Sequence, residues 1–226
     1  MIILITVFFF GLSWFVGYRL KSKFKQYSET PLRSNLSGKE IAEKMLRDNG
    51  IYDVKIICVE GQLTDHYNPA DQTVNLSNDV YYGRNAAAAA VAAHECGHAV
   101  QHARAYTFLK FRSAIVPAVS ISSRFMPWVI MIGGFIMAST GNPLVLGVGV
   151  LLFGFTTIFT IITLPVEFDA SRRALAWMSE KGIVTGEEYD MSKDALQWAA
   201  STYVVAALAS ISQLLYYVWI LFGRRD

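Results

Sequence analysis

The stretch Asn85–Val100 reads NAAAAAVAAHECGHAV, a nearly uninterrupted apolar run that predicts a helix. Because a helix advances about 100° per residue, His94 and His98 lie on one face and can offer two imidazole nitrogens to a single metal ion. Glu95 lies beside them as the candidate general base. The pattern His-Glu-x-x-His on a helix is typical of zinc peptidase active sites. We therefore predict a zinc-dependent catalytic centre on this helix.

Chance is the alternative explanation of the motif, since a helical pair of histidines can form an ordinary polar face. The flanking run Ala86–Ala93 argues against it, because two imidazoles and a carboxylate are costly to bury without a partner. His102 continues the same stripe about 6 Å beyond His98, and we expect a supporting or surface role for it. Cys96 faces away from the ligand side of the helix and is a minor candidate ligand. With Cys58 as the other cysteine, no structural disulfide is expected.

The composition indicates a small membrane protein: 226 residues, 53% of them hydrophobic, with a mean hydropathy of +0.33. Residues 1–18 are apolar and are followed, not preceded, by four basic residues between Arg19 and Lys25. A secretory signal would carry its positive charge first, so this segment is expected to be an uncleaved anchor. Two more apolar regions follow, residues 125–166, which turn formers interrupt at residues 139–143, and residues 203–222.

These runs predict about four membrane helices. Residues 144–166 would span about 34 Å, whereas residues 125–140 would reach only about 24 Å, short of a hydrocarbon core of about 30 Å. That first hairpin arm either begins earlier, within residues 113–123, or is re-entrant. The expected organisation is an anchor (1–18), a metallopeptidase subdomain (19–124), a transmembrane hairpin (125–166), a third-ligand helix with its connection (167–200) and a C-terminal transmembrane helix (201–226).

The basic residues predict the orientation, since with four spans residues 19–124 and 167–200 share one side. That side carries eighteen of the twenty Lys and Arg residues, so we expect it to face the cytoplasm, although Arg224 and Arg225 fall on the other side. The net charge of +2 gives no indication of a nucleic-acid partner. Expected partners are the bilayer and a polypeptide substrate, and small-residue faces permit a homo-oligomer.

A catalytic zinc site needs a third protein ligand beside His94 and His98. Glu167 is our choice, because it ends an apolar span on the same side as the motif. Asp169 and His66 are the alternatives. The competing interpretation is that Glu167 and Asp169 are interfacial charges that pair with basic neighbours, Arg172 or Arg173.

The chain resembles the YugP-type membrane zinc metallopeptidases, a bacterial family of neutral zinc metallopeptidases. The resemblance rests on four stretches: LTDHYNP (63–69), VNLS (74–77), AAHECGHAVQH (92–102) and LPVEFDAS (164–171). The arrangement is also similar to the HtpX and CAAX prenyl proteases, which are gluzincins, and that likeness implies Glu167 as the third ligand. In those proteases an Asp follows the ligand Glu by four residues. Here that position holds Ser171, and the nearby acid is Asp169.

Between anchor and motif we predict a small α+β subdomain. Ser37 caps a helix that runs to Asn49, with Glu40 completing a capping box. Residues 54–59 and 73–76 are predicted strands, and the second is the candidate edge strand for the substrate backbone. His66 lies in the intervening loop and is a candidate to stabilise the oxyanion, or else a loop histidine held by its neighbours.

The sequence as a whole predicts a mainly α, polytopic membrane protein with a zincin-like helix, located in a bacterial plasma membrane. Its predicted function is zinc-dependent endopeptidase activity on membrane-associated or unfolded polypeptides. One Zn²⁺ per chain would be held by His94, His98 and Glu167, with Glu95 and His66 catalytic. A non-catalytic zinc-binding scaffold or sensor is the rival, and a hydrolase of non-peptide substrates is a third possibility. A His, His, Glu set suits zinc best, although cobalt or manganese could replace it in vitro.

Overall fold

The computed structural model describes residues 1–223, and within that range the chain is mainly helical. Three of the ten elements are short strands. In chain order the elements are α1 (Ile2–Ser28), α2 (Gly38–Asp48), β1 (Lys55–Val59), β2 (His66–Asn68), β3 (Thr73–Ser77), α3 (Asn78–Tyr81), α4 (Ala86–Ala103), α5 (Thr107–Thr140), α6 (Leu144–Glu180) and α7 (Glu187–Phe222).

Four helices of the described range, α1, α5, α6 and α7, are long and apolar enough to cross a membrane. The predicted number of spans is therefore confirmed. Helix α5 begins at Thr107, earlier than the sequence suggested, so the hairpin arm is one continuous helix of 34 residues. Helices α6 and α7 likewise continue beyond their apolar runs, because the polar residues at one end of each helix keep helical periodicity after hydropathy falls. The turn at Gly141 separates α5 from α6 with a φ of +75°, which glycine adopts without strain.

The chain divides into two compact units. One comprises Met1–Phe15, Lys110–Leu164 and the chain from Thr202 onward. Inside it α5 and α6 approach closely, because a Cβ on Gly133 would lie only 2.4 Å from the backbone nitrogen of Leu146. A hydrogen bond of 2.7 Å between Thr157 and Ser210 joins α6 to α7. Small residues and hydroxyl pairs of this kind are common contacts between apolar helices.

The other unit comprises Val16–Leu109 and Pro165–Ser201 and contains the His-Glu-x-x-His helix. The seven alanines between Ala86 and Ala93 are all fully buried, so the first half of α4 forms the centre of this core. Helix α2 packs against it. The polar part of α6 is tied to α2 by a hydrogen bond of 3.1 Å from Trp177 Nε1 to Asp48. Ser192 of α7 donates to the carbonyl oxygen of Ala86 at 3.3 Å.

The predicted start of α2 is confirmed by a capping box. Ser37 Oγ accepts a hydrogen bond of 3.3 Å from the backbone N–H of Glu40. The Glu40 carboxylate in turn accepts one of 2.7 Å from the backbone N–H of Ser37. Two backbone donors that have no partner inside the helix are thereby satisfied.

The three-stranded sheet corrects two sequence predictions. Its strand order is β1-β3-β2, with β3 parallel to β1 and antiparallel to β2. Strand β3 is therefore central, and the prediction that residues 73–76 form an edge strand is wrong. The edge on that side is β2, a three-residue strand in the segment expected to be a loop and turn. Three residues carry too little alternation to be detected from a sequence, and only the pairing with β3 defines the strand.

Replacing Ser37 by Ala is expected to destabilise this unit by about 1 kcal/mol, because the substitution removes the N-cap acceptor. The matched control is Ser34→Ala, since the Ser34 hydroxyl is buried without a hydrogen-bond partner among the described residues. Thermal unfolding of both variants in the same detergent measures the difference. A midpoint for Ser37→Ala that equals that of Ser34→Ala would contradict the capping role.

Candidate metal centre

The helix that carries the motif begins at a well-formed N-cap. The Asn85 side chain accepts a hydrogen bond of 2.9 Å from the backbone N–H of Ala88. From that start, positions 94 and 98 fall on one face. The two imidazole rings lie with centroids 4.8 Å apart and planes at 85° to each other. Both histidines are partly buried, so their nitrogens face a restricted space.

Helix α6 brings Glu167 to the same point. Glu167 Oε2 lies 3.3 Å from His94 Nε2 and 3.5 Å from His98 Nε2. One ligand atom from each of the three residues lies within 4.8 Å of the others. Of the three candidates for a third ligand, the structure therefore places Glu167, and not Asp169 or His66, beside the histidine pair.

The surroundings of the Glu167 carboxylate fit a bound metal ion. Its side chain is 4% exposed, and its Oε2 is buried without a hydrogen-bond partner among the described residues. A buried, unpaired carboxylate oxygen is unfavourable by several kcal/mol unless a cation or donor compensates it. Two imidazole nitrogens and one carboxylate oxygen are a common ligand set for catalytic zinc. The residues present fit the metal that the motif predicts.

Gly97 allows α4 and α6 to approach closely enough for this convergence. A Cβ at position 97 would lie 2.6 Å from the carbonyl oxygen of Ala170, closer than real Cβ contacts come. The obstructing atom belongs to the backbone, so it cannot rotate out of the way. The fourth position of the motif is therefore restricted to glycine by packing between the two helices that supply the three candidate ligands.

Glu95 is buried, with 8% of its surface exposed, and it is not among the three converging residues. Its Oε2 accepts a hydrogen bond of 2.9 Å from the backbone N–H of Tyr67 on β2. Asp65, just before that strand, accepts a hydrogen bond of 2.7 Å from the backbone N–H of Ser77. Burial, with a contribution from the charge of Glu95, raises the pKa of Asp65. The edge strand thus lies directly beside the candidate general base.

His66 lies on β2 but outside the converging group. Its ring is exposed. Its Nδ1 lies 2.8 Å from the carbonyl oxygen of Thr64, and its Nε2 lies 3.3 Å from Asn75 Nδ2. These contacts are those of a histidine held by its neighbours, although it lies on a strand and not in the predicted loop. A catalytic role for His66 stays a prediction.

His102 and Cys96 also lie outside the group of candidate ligands. His102 is exposed, and its Nδ1 lies 2.8 Å from the Tyr67 hydroxyl, a contact that joins α4 to β2. The Cys96 sulfur is buried and lies 3.7 Å from the carbonyl oxygen of Ala42. Burial strongly raises the pKa of the Cys96 thiol. The Cys96 sulfur thus faces α2 and lies outside the group of candidate metal ligands.

Gln101, which sequence reasoning missed, and Ser171, whose role it left open, contact the outer nitrogens of the histidines. Ser171 Oγ lies 3.1 Å from His94 Nδ1, and Gln101 Oε1 lies 3.0 Å from His98 Nδ1. Each could have been found by helical spacing, since Gln101 follows His98 by three residues and Ser171 follows Glu167 by four. Outer hydrogen bonds of this kind orient ligating imidazoles and fix their tautomer.

Asp169 pairs with its basic neighbours and is linked to the candidate centre through Gln101. It pairs with Arg173, whose Nε lies 2.5 Å from Oδ2, and with Arg172. It also accepts a hydrogen bond of 2.9 Å from Gln101 Nε2. Asp169 therefore pairs directly with Arg172 and Arg173. Its link to the candidate metal centre is indirect, through Gln101.

Comparison of the chain with known protein families agrees with a metal centre formed by the His-Glu-x-x-His helix and Glu167. Residues 1–222 match the family described as "Putative neutral zinc metallopeptidase". The chain belongs to this family. It is also 41% identical over 224 residues, covering 99% of this chain and 98% of the relative, to "Putative membrane protease YugP" of Bacillus subtilis (strain 168). No solved structure matches the chain at a significant level.

Membership in the neutral zinc metallopeptidase family agrees with the resemblance seen in the sequence, and it names zinc as the metal. The residues that can hold such an ion are His94, His98 and Glu167. The relative's name describes a membrane protease, and four helices within the described residues of this chain are long and apolar enough to cross a membrane.

Replacing Gly97 by Ala is expected to weaken metal binding, because the added methyl group forces α4 away from Ala170 and separates the histidines from Glu167. Overpacking of this kind destabilises a protein by about 1–3 kcal/mol. Gly154→Ala is the matched control, since a Cβ at that helical position meets nothing within 4 Å. Zinc content after dialysis against a weak chelator, and thermal unfolding, should distinguish the two variants. Equal zinc retention by both would contradict the packing argument.

Proposed function

We propose that this chain is a membrane-integrated zinc endopeptidase of the gluzincin type, with one zinc ion per chain held by His94, His98 and Glu167. The observation that carries the proposal is the buried Glu167 Oε2, which faces both histidines and has no hydrogen-bond partner among residues 1–223. Glu95 is adjacent in sequence but outside that group, which leaves it available for acid–base chemistry. Family membership supports the same conclusion.

Glu95 is the proposed general base. A zinc ion held by these residues would polarise the substrate carbonyl and would lower the pKa of a bound water to about 7. The Glu95 carboxylate accepts the proton of the attacking water and then donates it to the leaving nitrogen of the peptide bond. Its hydrogen bond from the Tyr67 N–H holds the carboxylate in one orientation on the side of β2.

The proposed position of the substrate backbone is the outer edge of β2. This strand is terminal in the sheet, and the Tyr67 N–H points to Glu95 instead of to β3. An extended peptide that adds to an edge strand is aligned by backbone hydrogen bonds, which are independent of its side chains. We propose that unfolded or extended segments are the substrates. Since His66 also lies on β2, an assisting role in oxyanion stabilisation is retained as part of the proposal.

The position of Glu167 supports membrane-associated substrates. Glu167 follows the apolar run of residues 144–164 by less than one helical turn, on the same helix. A metal ligand that emerges so soon after a span implies hydrolysis close to the bilayer surface. By the positive-inside rule that surface is the cytoplasmic face of a bacterial plasma membrane.

Metal content and proteolysis of three variants test the assigned roles. Wild type and Glu95→Gln should each retain one zinc per chain, because Glu95 is not a ligand. Glu167→Ala should retain little, whereas Glu180→Ala, an exposed carboxylate on the same helix, should behave as wild type. Cleavage of an unstructured reporter in detergent should fall about 10²–10⁴-fold in Glu95→Gln, the usual contribution of a general base.

The outcomes separate the rival functions. Full zinc retention without Glu167 would contradict its assignment as the third ligand. Bound zinc with no cleavage of any reporter by wild type would favour the non-catalytic scaffold. Equal cleavage by wild type and Glu95→Gln would rule out Glu95 as the general base.

The proposed orientation predicts labelling from opposite sides of the membrane. In a Cys58→Ser background, Asn142→Cys in the turn between α5 and α6 should react with a membrane-impermeant maleimide on intact cells. Ser179→Cys, an exposed position on the polar part of α6, should react only after permeabilisation. The reverse pattern would place the metal centre on the outer face.

A further inference from the structure

We propose that Gln101 is a positioning residue that holds His98 in the single tautomer able to bind the metal, and that Asp169 fixes Gln101 in the orientation this requires. Gln101 is completely buried, and it makes three hydrogen bonds: to His98, to the carbonyl oxygen of Val166 and to Asp169. It belongs to neither the metal ligands nor the general base. The inference rests on the metal site of the proposed function.

The first step is the orientation of the Gln101 amide. Nε2 lies 2.8 Å from the carbonyl oxygen of Val166 and 2.9 Å from Asp169 Oδ2. A carbonyl oxygen and an ionised carboxylate accept hydrogen bonds but donate none, so the atom that faces both must be the NH₂ group. The reversed amide would set its oxygen against two other oxygens. Only one orientation of the side chain is therefore compatible with its surroundings.

The second step is the tautomer of His98. With Nε2 directed to Val166 and Asp169, the Gln101 oxygen is left to face His98 Nδ1 at 3.0 Å. An amide oxygen can only accept, so Nδ1 must carry the proton. A neutral imidazole protonated on Nδ1 has its lone pair on Nε2, the nitrogen that faces Glu167 at 3.5 Å. The amide thus directs the lone pair of His98 toward the position of the metal.

The third step is the charge of Asp169, which is what makes it an obligate acceptor. Its side chain is 4% exposed, and it is flanked by Arg173 and Arg172. Two guanidinium groups compensate the buried negative charge. The direction of each hydrogen bond from Arg173 to His98 is therefore determined. Arg173 and Gln101 Nε2 both donate to Asp169, and His98 Nδ1 donates to Gln101 Oε1.

His94 is held differently. Its Nδ1 faces the Ser171 hydroxyl at 3.1 Å, and a hydroxyl can either donate or accept. The contact orients the ring but does not by itself specify a tautomer. We therefore expect substitutions behind His98 to affect the metal more than substitution behind His94.

The test compares Gln101→Met, which keeps a similar volume without a hydrogen-bonding amide, with Asp169→Asn, Ser171→Ala and wild type. Ser192→Ala is the matched control, because it removes a buried hydrogen bond to Ala86 in the same unit with no contact to the metal residues. Zinc affinity is measured in detergent by competition with a chromogenic chelator. The visible absorption of the cobalt-substituted proteins reports the ligand geometry independently of activity, and circular dichroism establishes that each variant is folded.

Gln101→Met is expected to bind zinc about 10–100-fold more weakly than wild type, the usual effect of losing such a support, and to show an altered cobalt spectrum. Asp169→Asn should shift both readouts in the same direction, because its amide can present a donor to Gln101. Ser171→Ala should show a smaller effect, and Ser192→Ala should lower the unfolding temperature without altering either metal readout.

Wild-type affinity and spectrum in folded Gln101→Met would overturn the inference while leaving the proposed function intact. If Gln101→Met does not fold, Asp169→Asn becomes the deciding variant. Wild-type zinc affinity and a wild-type cobalt spectrum in Asp169→Asn would then overturn the inference. A wild-type protein that binds neither metal would instead contradict the proposed function itself.

Discussion

The buried carboxylate of Glu167 is the constraint on which the candidate centre depends. It lies within 3.5 Å of two imidazole nitrogens, yet its Oε2 has no hydrogen-bond partner among the described residues. A buried carboxylate in that position is unfavourable unless a cation or a hydrogen-bond donor compensates it. The convergence of the carboxylate and the two imidazoles therefore fits a set of metal ligands. Compensation by a metal ion would also explain why a charged side chain occurs on α6 directly after an apolar span.

Bringing that carboxylate to the histidines requires unusually close packing of two helices. Gly97 provides the closest approach, with the backbone of Ala170 where a side chain would otherwise be. The buried alanines between Ala86 and Ala93 allow α2 and its neighbours to surround the same helix. Residues that look featureless in the sequence thus set the distances at the centre, since small side chains determine how near two backbones can come.

The surroundings of the centre are asymmetric. On one side, the N–H of Tyr67 on the edge strand orients Glu95. On the opposite side, Gln101 and Ser171 contact the outer nitrogens of the two histidines. Glu95, the candidate ligands and the residues that contact them come from three elements, β2, α4 and α6, within a single compact unit.

Local patterns in the sequence were sufficient for the features that depend on neighbours along the chain. The i, i+4 spacing predicted the histidine pair, the apolar runs predicted four spans, and the pattern at Ser37 and Glu40 predicted the start of α2. Each follows from helical periodicity or hydropathy, which a single segment expresses by itself. The position of Glu167 at the end of an apolar span favoured it as the third ligand over Asp169 and His66, and the resemblance to a known family implied the same residue.

Only the tertiary structure decided which side chains converge. Glu167 comes 69 residues after His98, and the three-residue strand β2 is defined only by pairing with β3. The connection from Asp169 through Gln101 to His98 likewise joins two helices. Contacts of this kind join segments that are far apart in the sequence. They depend on how helices and strands pack together, which the local residue pattern of a single segment does not determine.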